Sequence, residues 1–333
     1  MVMTLMKIKQ SRGFSLVELL VAMVVGLIIV SGAFSLHSGS RKTQVKSEEQ
    51  MDMVADARFA IEMIAYDLRH AGMWGGTNKD GLISCRSTDT TCATPLTVTN
   101  DCAVGVGTPV WAFDLSRPVF ATDASNPYSS SCIPATEKYL AGTDVLEIRY
   151  ADSNVTASAD LRSGQAYVRS NFLNGQVFVG TAQPELAGYE ASPLTANHEL
   201  HAYAYYVSNY TDADGDKIPS LRRVSLVNSP SLQNQILISG VADLQVQFGV
   251  DVTGDQVVDR YDHPNVITTD NNWNNVYAAK IWLLMRTDKK QLGINTAKSF
   301  EIAGAPAVTK GGQDDYRYFM VTSVVDMRNL KQI

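Results

Sequence analysis

Charge is scarce at the N-terminal end of this chain. In residues 12–34, RGFSLVELLVAMVVGLIIVSGAF, only Glu18 carries a formal charge after Arg12. Residues 1–13 hold no acid, only Lys7, Lys9 and Arg12, and taking those three charges from the net −6 leaves −9 for the remainder. That acidic body has no basic stripe to neutralise phosphates, which excludes nucleic acid as a partner. Proline is absent from Ser38 to His70, so nothing there breaks a helix. Cysteine is limited to Cys85, Cys92, Cys102 and Cys132, all within 48 consecutive residues. Catalytic signatures are missing too. There is no H-E-x-x-H, G-x-S-x-G, P-loop or G-x-G-x-x-G, and His37, His70, His198, His201 and His263 fall into no ligand spacing, which argues against an enzyme.

What is present is a membrane-length apolar run and enough hydrophobic residues, 45% against 19% charged, to bury a core. Phe14 to Leu36 spans 23 residues, long enough at about 1.5 Å per residue to cross a hydrocarbon layer of about 30 Å. A basic head before such a run predicts that the positive end stays in the cytoplasm. The run does not end in an A-x-A cleavage site, so an ordinary secretory signal is disfavoured. Glu18 then needs a compensating partner, because a charge at mid-bilayer costs about 2.5–3.5 kcal/mol on insertion scales.

The stretch RGFSLVELLVAM resembles the class III signal of type IV prepilins and pseudopilins: a short basic leader ending in Gly13, then Phe14, then a glutamate at the fifth mature position. The resemblance implies that a prepilin peptidase cuts between Gly13 and Phe14 and methylates the new N-terminus, leaving 320 of the 333 residues. It also implies that Glu18 pairs with the freed amine of a neighbouring subunit during assembly. Such an amine is largely protonated near neutral pH, its reference pKa being about 8. Within this family the chain is similar to the PilW group of minor pilins, strongly over residues 12–36, moderately in RFAIEMIAYDLRHAGMWG and GVADLQVQFGVDVTGDQVVDRY, again in VTSVVDMRN, and weakly between 73 and 200. The J-type minor pseudopilins of type II secretion share the plan. Implied partners are other minor pilins, the major pilin, the prepilin peptidase, the inner membrane and a pilus tip protein. The implied place is the bacterial inner membrane, single-pass with a periplasmic head, and then the fibre, where the chain primes pilus assembly or sits at the tip. An adhesin-like binding module at the tip is an alternative of another class.

Helical periodicity continues past the membrane run. Val45, Met51, Val54, Ala55, Ile61, Ile64, Ala65 and Leu68 recur near the 3.6-residue period, charges including Asp67 fill the other face, and Gly72 is a natural stop. Strand patterns follow at 144–150, 176–180, 199–208, 220–227, 235–250 with a break near Gly240, 278–287 and 315–329. One long helix before many strands predicts an α+β fold, with the helix laid across a predominantly antiparallel sheet. With the resemblance, this is a type IV pilin-like fold, divided into a leader (1–13), a transmembrane and assembly helix (14–36), its amphipathic continuation (37–72) and a β-rich periplasmic head (73–333). A Cys-rich loop excursion occupies about 85–132 of that head.

Outside the cytoplasm the four cysteines predict two disulfides, with three pairings open. DVTGDQVVDRYD places oxygen groups at Asp251, Thr253, Asp255, Asp259 and Asp262, with the Val257 carbonyl between them, a spacing like that of a Ca²⁺ loop. It departs from the EF-hand pattern at Gln256, where a glycine belongs, and at Asp262, where a glutamate does. An acidic β-turn is the competing reading. Asp212, Asp214 and Asp216 form a weaker cation candidate in what reads as a hairpin turn. No cofactor is required, and Ca²⁺ is the candidate ligand. Tyr203, Tyr205 and Tyr206 offer a sugar-lining surface, although packing along a sheet accounts for them more simply.

Overall fold

A computed structural model of the chain describes residues 13, 15–86, 92, 96–103, 110–186, 194–212, 215–291, 297–312 and 314–331. Phe14, Asp214 and residues 1–12 lie outside the described residues. The chain divides into two compact units, Met1–Asp52 and Met53–Ile333. Helix α1 (Leu16–His70, 55 residues) makes up the first unit from Leu16 onward and opens the second. It contains no proline, and its end is set by Gly72, which adopts φ +75 and donates its N–H to the Arg149 carbonyl at 3.1 Å. In the first unit the apolar side chains from Leu16 to Leu36 are exposed.

In the second unit α1 buries Met53, Ala57, Ala60, Ile61, Ile64, Ala65 and Leu68, at helical spacing. Three of these are alanines, which let the sheet approach the helix backbone closely. The buried face differs from the expected one at its start, since Val45, Met51 and Ala55 are exposed and Met53 is buried. Asp67, expected on the charged outer face, is instead 3% exposed.

Fourteen strands are seen among the described residues. They are β1 (Ile83–Ser84), β2 (Val119–Thr122), β3 (Val145–Thr156), β4 (Ala166–Ser170), β5 (Gly175–Val179), β6 (Ala196–Ser208), β7 (Ser220–Val227), β8 (Ser231–Ser239), β9 (Val241–Val250), β10 (Arg260–Asp262), β11 (Val276–Arg286), β12 (Ala297–Phe300), β13 (Val308–Gly311) and β14 (Tyr318–Asp326). Helix α2 (Pro264–Thr269) lies between β10 and β11.

The head is not one sheet. A first sheet runs β1-β5-β4-β6-β3-β2, with β7 also pairing β6 and β8 pairing β7; a second runs β10-β9-β11-β14; β12 and β13 form a small third. All pairs are antiparallel except β1 with β5. The long run 235–250 divides at Gly240, where φ is +79 and an added Cβ would lie 2.6 Å from the Arg286 carbonyl oxygen. Both main sheets contribute to one core with α1: Leu146, Ile148, Tyr205 and Val207 from the first, Leu244, Val246, Ile281 and Leu283 from the second. Alternate residues of the first sheet, including Val168, Ala202, Ala204 and Val224, face a second core closed by Trp111, Phe113, Leu115, Tyr128 and Ile133. The first sheet is therefore covered on both faces, which is why the second half of β6, Ala202–Val207, reads as an unbroken apolar run.

The excursion is tied by Cys85–Cys92 and Cys102–Cys132, which resolves the three open pairings. Beneath it lies a buried polar knot. Glu147 accepts hydrogen bonds from Trp111 Nε1 at 2.8 Å, Arg149 Nη2 at 2.9 Å and the Tyr128 hydroxyl, while Arg149 donates to the Trp111 and Arg117 carbonyls. In sequence, Glu147 and Arg149 alternate with apolar residues as solvent-facing positions should; the excursion turns that face inward.

Asp144 joins the two main sheets. Its N–H donates to the Leu244 carbonyl at 2.9 Å, and its carboxylate accepts from Ala124 N–H at 2.9 Å and Val246 N–H at 2.8 Å. Burial first, then the neighbouring charges of Asp123 and Asp243, raise its carboxyl to about 7 against the pull of those two N–H groups. Between the ordinary carboxylate pKa of about 3.9 and about 7, the folded chain holds a proton that the unfolded chain has lost. The contribution of Asp144 to stability is thus complete below that window and falls as pH rises through it. Urea midpoints are expected to be lower at pH 8 than at pH 5, with a smaller difference in Asp144→Asn; an equal difference in the variant would assign the effect to other groups.

Candidate functional site: N-terminal helix, latch and acidic loops

The first turn of α1 gives Glu18 a partner within its own chain. Ser15 donates its N–H to Glu18 Oε2 at 3.0 Å, and Glu18 donates its N–H to Ser15 Oγ at 3.2 Å. This is a reciprocal capping box, and a carboxylate at a helix N-terminus also meets the positive end of the helix dipole. The S-x-x-E spacing of Ser15 and Glu18 carried the signal, masked by the more specific Gly-Phe-x-x-x-Glu pattern around it. Gly13 is exposed, and its predicted cleavage partner Phe14 lies outside the described residues.

At the other end, α1 is latched to the head. Asp67 accepts hydrogen bonds from the Tyr150 hydroxyl at 2.8 Å and from the Tyr205 hydroxyl, with Arg223 Nη1 4.0 Å away. Burial raises its carboxyl above the usual range, although the two phenols and Arg223 pull it down. Arg223 also lies 4.1 Å over the Tyr203 ring. The helix is thereby pinned to β3, β6 and β7 together. Sequence reading missed this, because a lone aspartate on a mixed-charge helix carries no mark of burial.

The tyrosines do not line an open groove. Tyr203 and Tyr205 face α1, while Tyr206 points to the opposite face, donating toward Asn234 Oδ1 at 2.8 Å. His198 and His201 fall on opposite faces of β6, as their spacing predicts, and both engage Asp152: His198 Nδ1 is 2.8 Å from its carbonyl oxygen and His201 Nε2 is 3.4 Å from its carboxylate.

The acidic loop 251–262 turns its carboxylates onto its own backbone. Asp251 accepts the N–H groups of Thr253, Gly254 and Gln256, at 3.0, 2.6 and 2.6 Å. Asp259 accepts those of Val252 and Thr253, Asp255 that of Val257, and Asp262 pairs with Arg260. Gln256, where an EF-hand glycine belongs, sits at φ +63. Among the described residues no group of three or more His, Cys, Asp or Glu side chains converges on one point. In the second loop Asp216 accepts from Thr211 and from Ile218 N–H, Asp212 is exposed, and Asp214 lies outside the described residues. That loop connects the antiparallel neighbours β6 and β7, the hairpin the sequence predicts. Because loop 251–262 satisfies its backbone donors itself, a chelator is expected to leave the melting temperature unchanged, and a fall of several degrees would assign the loop a structural cation.

Three comparisons bear on identity. Residues 8–34 match the prokaryotic N-terminal methylation motif, and residues 204–329 match the family of type IV pilus-assembly protein W. The second match covers the end of β6, β7, β8 and the whole second sheet. No curated protein matches the chain significantly. A type IV-like pilin from Thermus thermophilus aligns with 51% of this chain and 86% of its own at 15% identity and a TM-score of 0.25, too distant to carry an argument. The chain thus carries a match to the N-terminal methylation motif on its apolar helix and, over residues 204–329 of the head, a match to the family of type IV pilus-assembly protein W.

Proposed function

We propose that the chain is made as a prepilin, cut between Gly13 and Phe14, methylated on Phe14, and used with other minor pilins to prime pilus assembly, with its head at the fibre tip. The match of residues 204–329 to the pilus-assembly family carries this reading, and it favours the pilus over a type II secretion pseudopilus. Lys7, Lys9 and Arg12 hold the N-terminus in the cytoplasm by the positive-inside rule, and the disulfide-bonded head belongs to the oxidising periplasm. A role in the fibre rather than in catalysis follows from the same family.

Glu18 is the residue that links the single chain to the assembly. Alone, its carboxylate caps its own helix. In the membrane bundle, the Phe14 amine of a neighbouring subunit offers it a full positive charge, and an ion left unpaired in low dielectric is penalised, so helices dock at one offset. Two substitutions separate cap from charge. Glu18→Gln keeps an N3 side chain able to close the capping box, whereas Glu18→Ala removes both functions. Both variants are expected to insert and be cleaved, and both to fall at least tenfold in sheared fibres. Rescue by Gln would leave only the cap, and normal incorporation of Ala would refute the role. N-terminal sequencing of the membrane-derived protein is expected to begin at methylated Phe14; an intact leader overturns the processing step.

A further inference from the structure

A groove of about 520 Å³ opens in the head where four distant segments meet: the turn after α1, the residues leading into β2, the α2–β11 turn and the C-terminal turn. Its volume lies within the roughly 300–1,000 Å³ of small-molecule sites. Phe120 and Trp273 pack with ring centroids 4.7 Å apart, and the Arg117 guanidinium sits 3.7 Å from the Phe120 centroid. That stack holds Arg117 at the rim, where it is exposed and where no carboxylate among the described residues pairs with it. The groove's own acid, Asp80, is already taken by Arg86. The groove therefore offers one uncompensated cation in a body of net negative charge.

Its remaining polar groups are carboxamides. Asn271 and Asn274 are exposed, with no side-chain partner among the described residues. Asn78 spends its Nδ2 on the Asn329 and Lys331 carbonyls, at 3.0 and 3.2 Å, which leaves its Oδ1 as an acceptor. Trp273 has given its Nε1 to Thr268 Oγ1 at 3.1 Å, so it offers apolar surface only. A carboxamide both donates and accepts, as a hydroxyl does; ring surface suits aliphatic C–H groups; and a guanidinium takes a carboxylate in bidentate fashion. A peptide would instead call for a free strand edge or a row of apolar pockets.

We propose that this groove binds a short acidic saccharide, with a uronate carboxylate on Arg117, hydroxyls on Asn271, Asn274 and Asn78, and a ring against Trp273. The proposal does not depend on the pilus reading. Calorimetric titration of the full-length chain in detergent tests it, with digalacturonic acid, its neutral counterpart galactobiose, and trialanine as probes. Saturable binding of digalacturonic acid is expected, at least tenfold tighter than galactobiose or trialanine, with a loss of at least tenfold in Arg117→Gln. Asn274→Asp, at an exposed position, is expected to repel the uronate by a similar factor without moving the melting temperature, and it serves if Arg117→Gln is unstable. Absence of saturable binding, equal affinity for galactobiose, preference for trialanine, or affinity unchanged in these variants would each overturn the proposal.

Discussion

Asp67→Ala is expected to destabilise the head by about 4 kcal/mol, the range found when one partner of a buried charged network is removed. The substitution strips the acceptor from the hydroxyls of Tyr150 and Tyr205, both nearly inaccessible to solvent, and leaves Arg223 without its carboxylate. Arg223 Nε already lacks a partner among the described residues, and its remaining hydrogen bonds, to the Tyr205 hydroxyl and Gln235 Oε1, are neutral and long, at 3.4 and 3.3 Å. Asp67→Asn should cost less, about 1–2 kcal/mol, because burial already disfavours the charged form and the amide keeps one acceptor. Tyr150→Phe in the Asp67→Ala background is expected to recover part of the loss by removing one orphaned hydroxyl. Urea unfolding followed by tryptophan fluorescence provides the measurement; a change below about 0.5 kcal/mol in Asp67→Ala, typical of a surface substitution, would mean that the helix is held by apolar packing alone.

Replacing Cys102 and Cys132 by serine is expected to cost about 3.5 kcal/mol, and replacing Cys85 and Cys92 about 2.5 kcal/mol, from the chain entropy each crosslink removes from the unfolded state. The order follows from sequence separations of 30 and 7. The longer crosslink matters for a second reason: Cys102 and Cys132 sit in the core that covers the first sheet, beside Trp111, Tyr128 and Ile133. Loosening them should expose the Glu147–Arg149 pair to water as well. Equal losses for the two double variants would show that native packing, rather than loop length, sets the cost.

Much of the fold was legible because its periodicities are local. The proline-free helix, its stop at Gly72, the strand boundary at Gly240 and the span of β7 all follow from patterns within a few residues. The strands that escaped are short or fully buried. In β4, Ala-Tyr-Val-Arg-Ser, all five residues are buried, so no alternation exists to be read. β10, β12 and β13 have three or four residues each, and β1 two. The second sheet was hidden for another reason: its strands have the same pattern as those of the first, and strand pattern does not say which strands pair.

The sequence by itself determined the long apolar run, the methylation motif over residues 8–34, the lone acid at Glu18 and the strand-rich head, because charge, apolar length and residue spacing are written along the chain. Only the tertiary structure decided that Asp67 is a latch, that Glu147 and Arg149 are buried, which cysteines pair, and that Arg117 and three asparagines share one groove with Trp273. Each of those outcomes depends on residues tens to hundreds of positions apart meeting in a water-poor place, and the cost of burying a charge is set by the company it meets there.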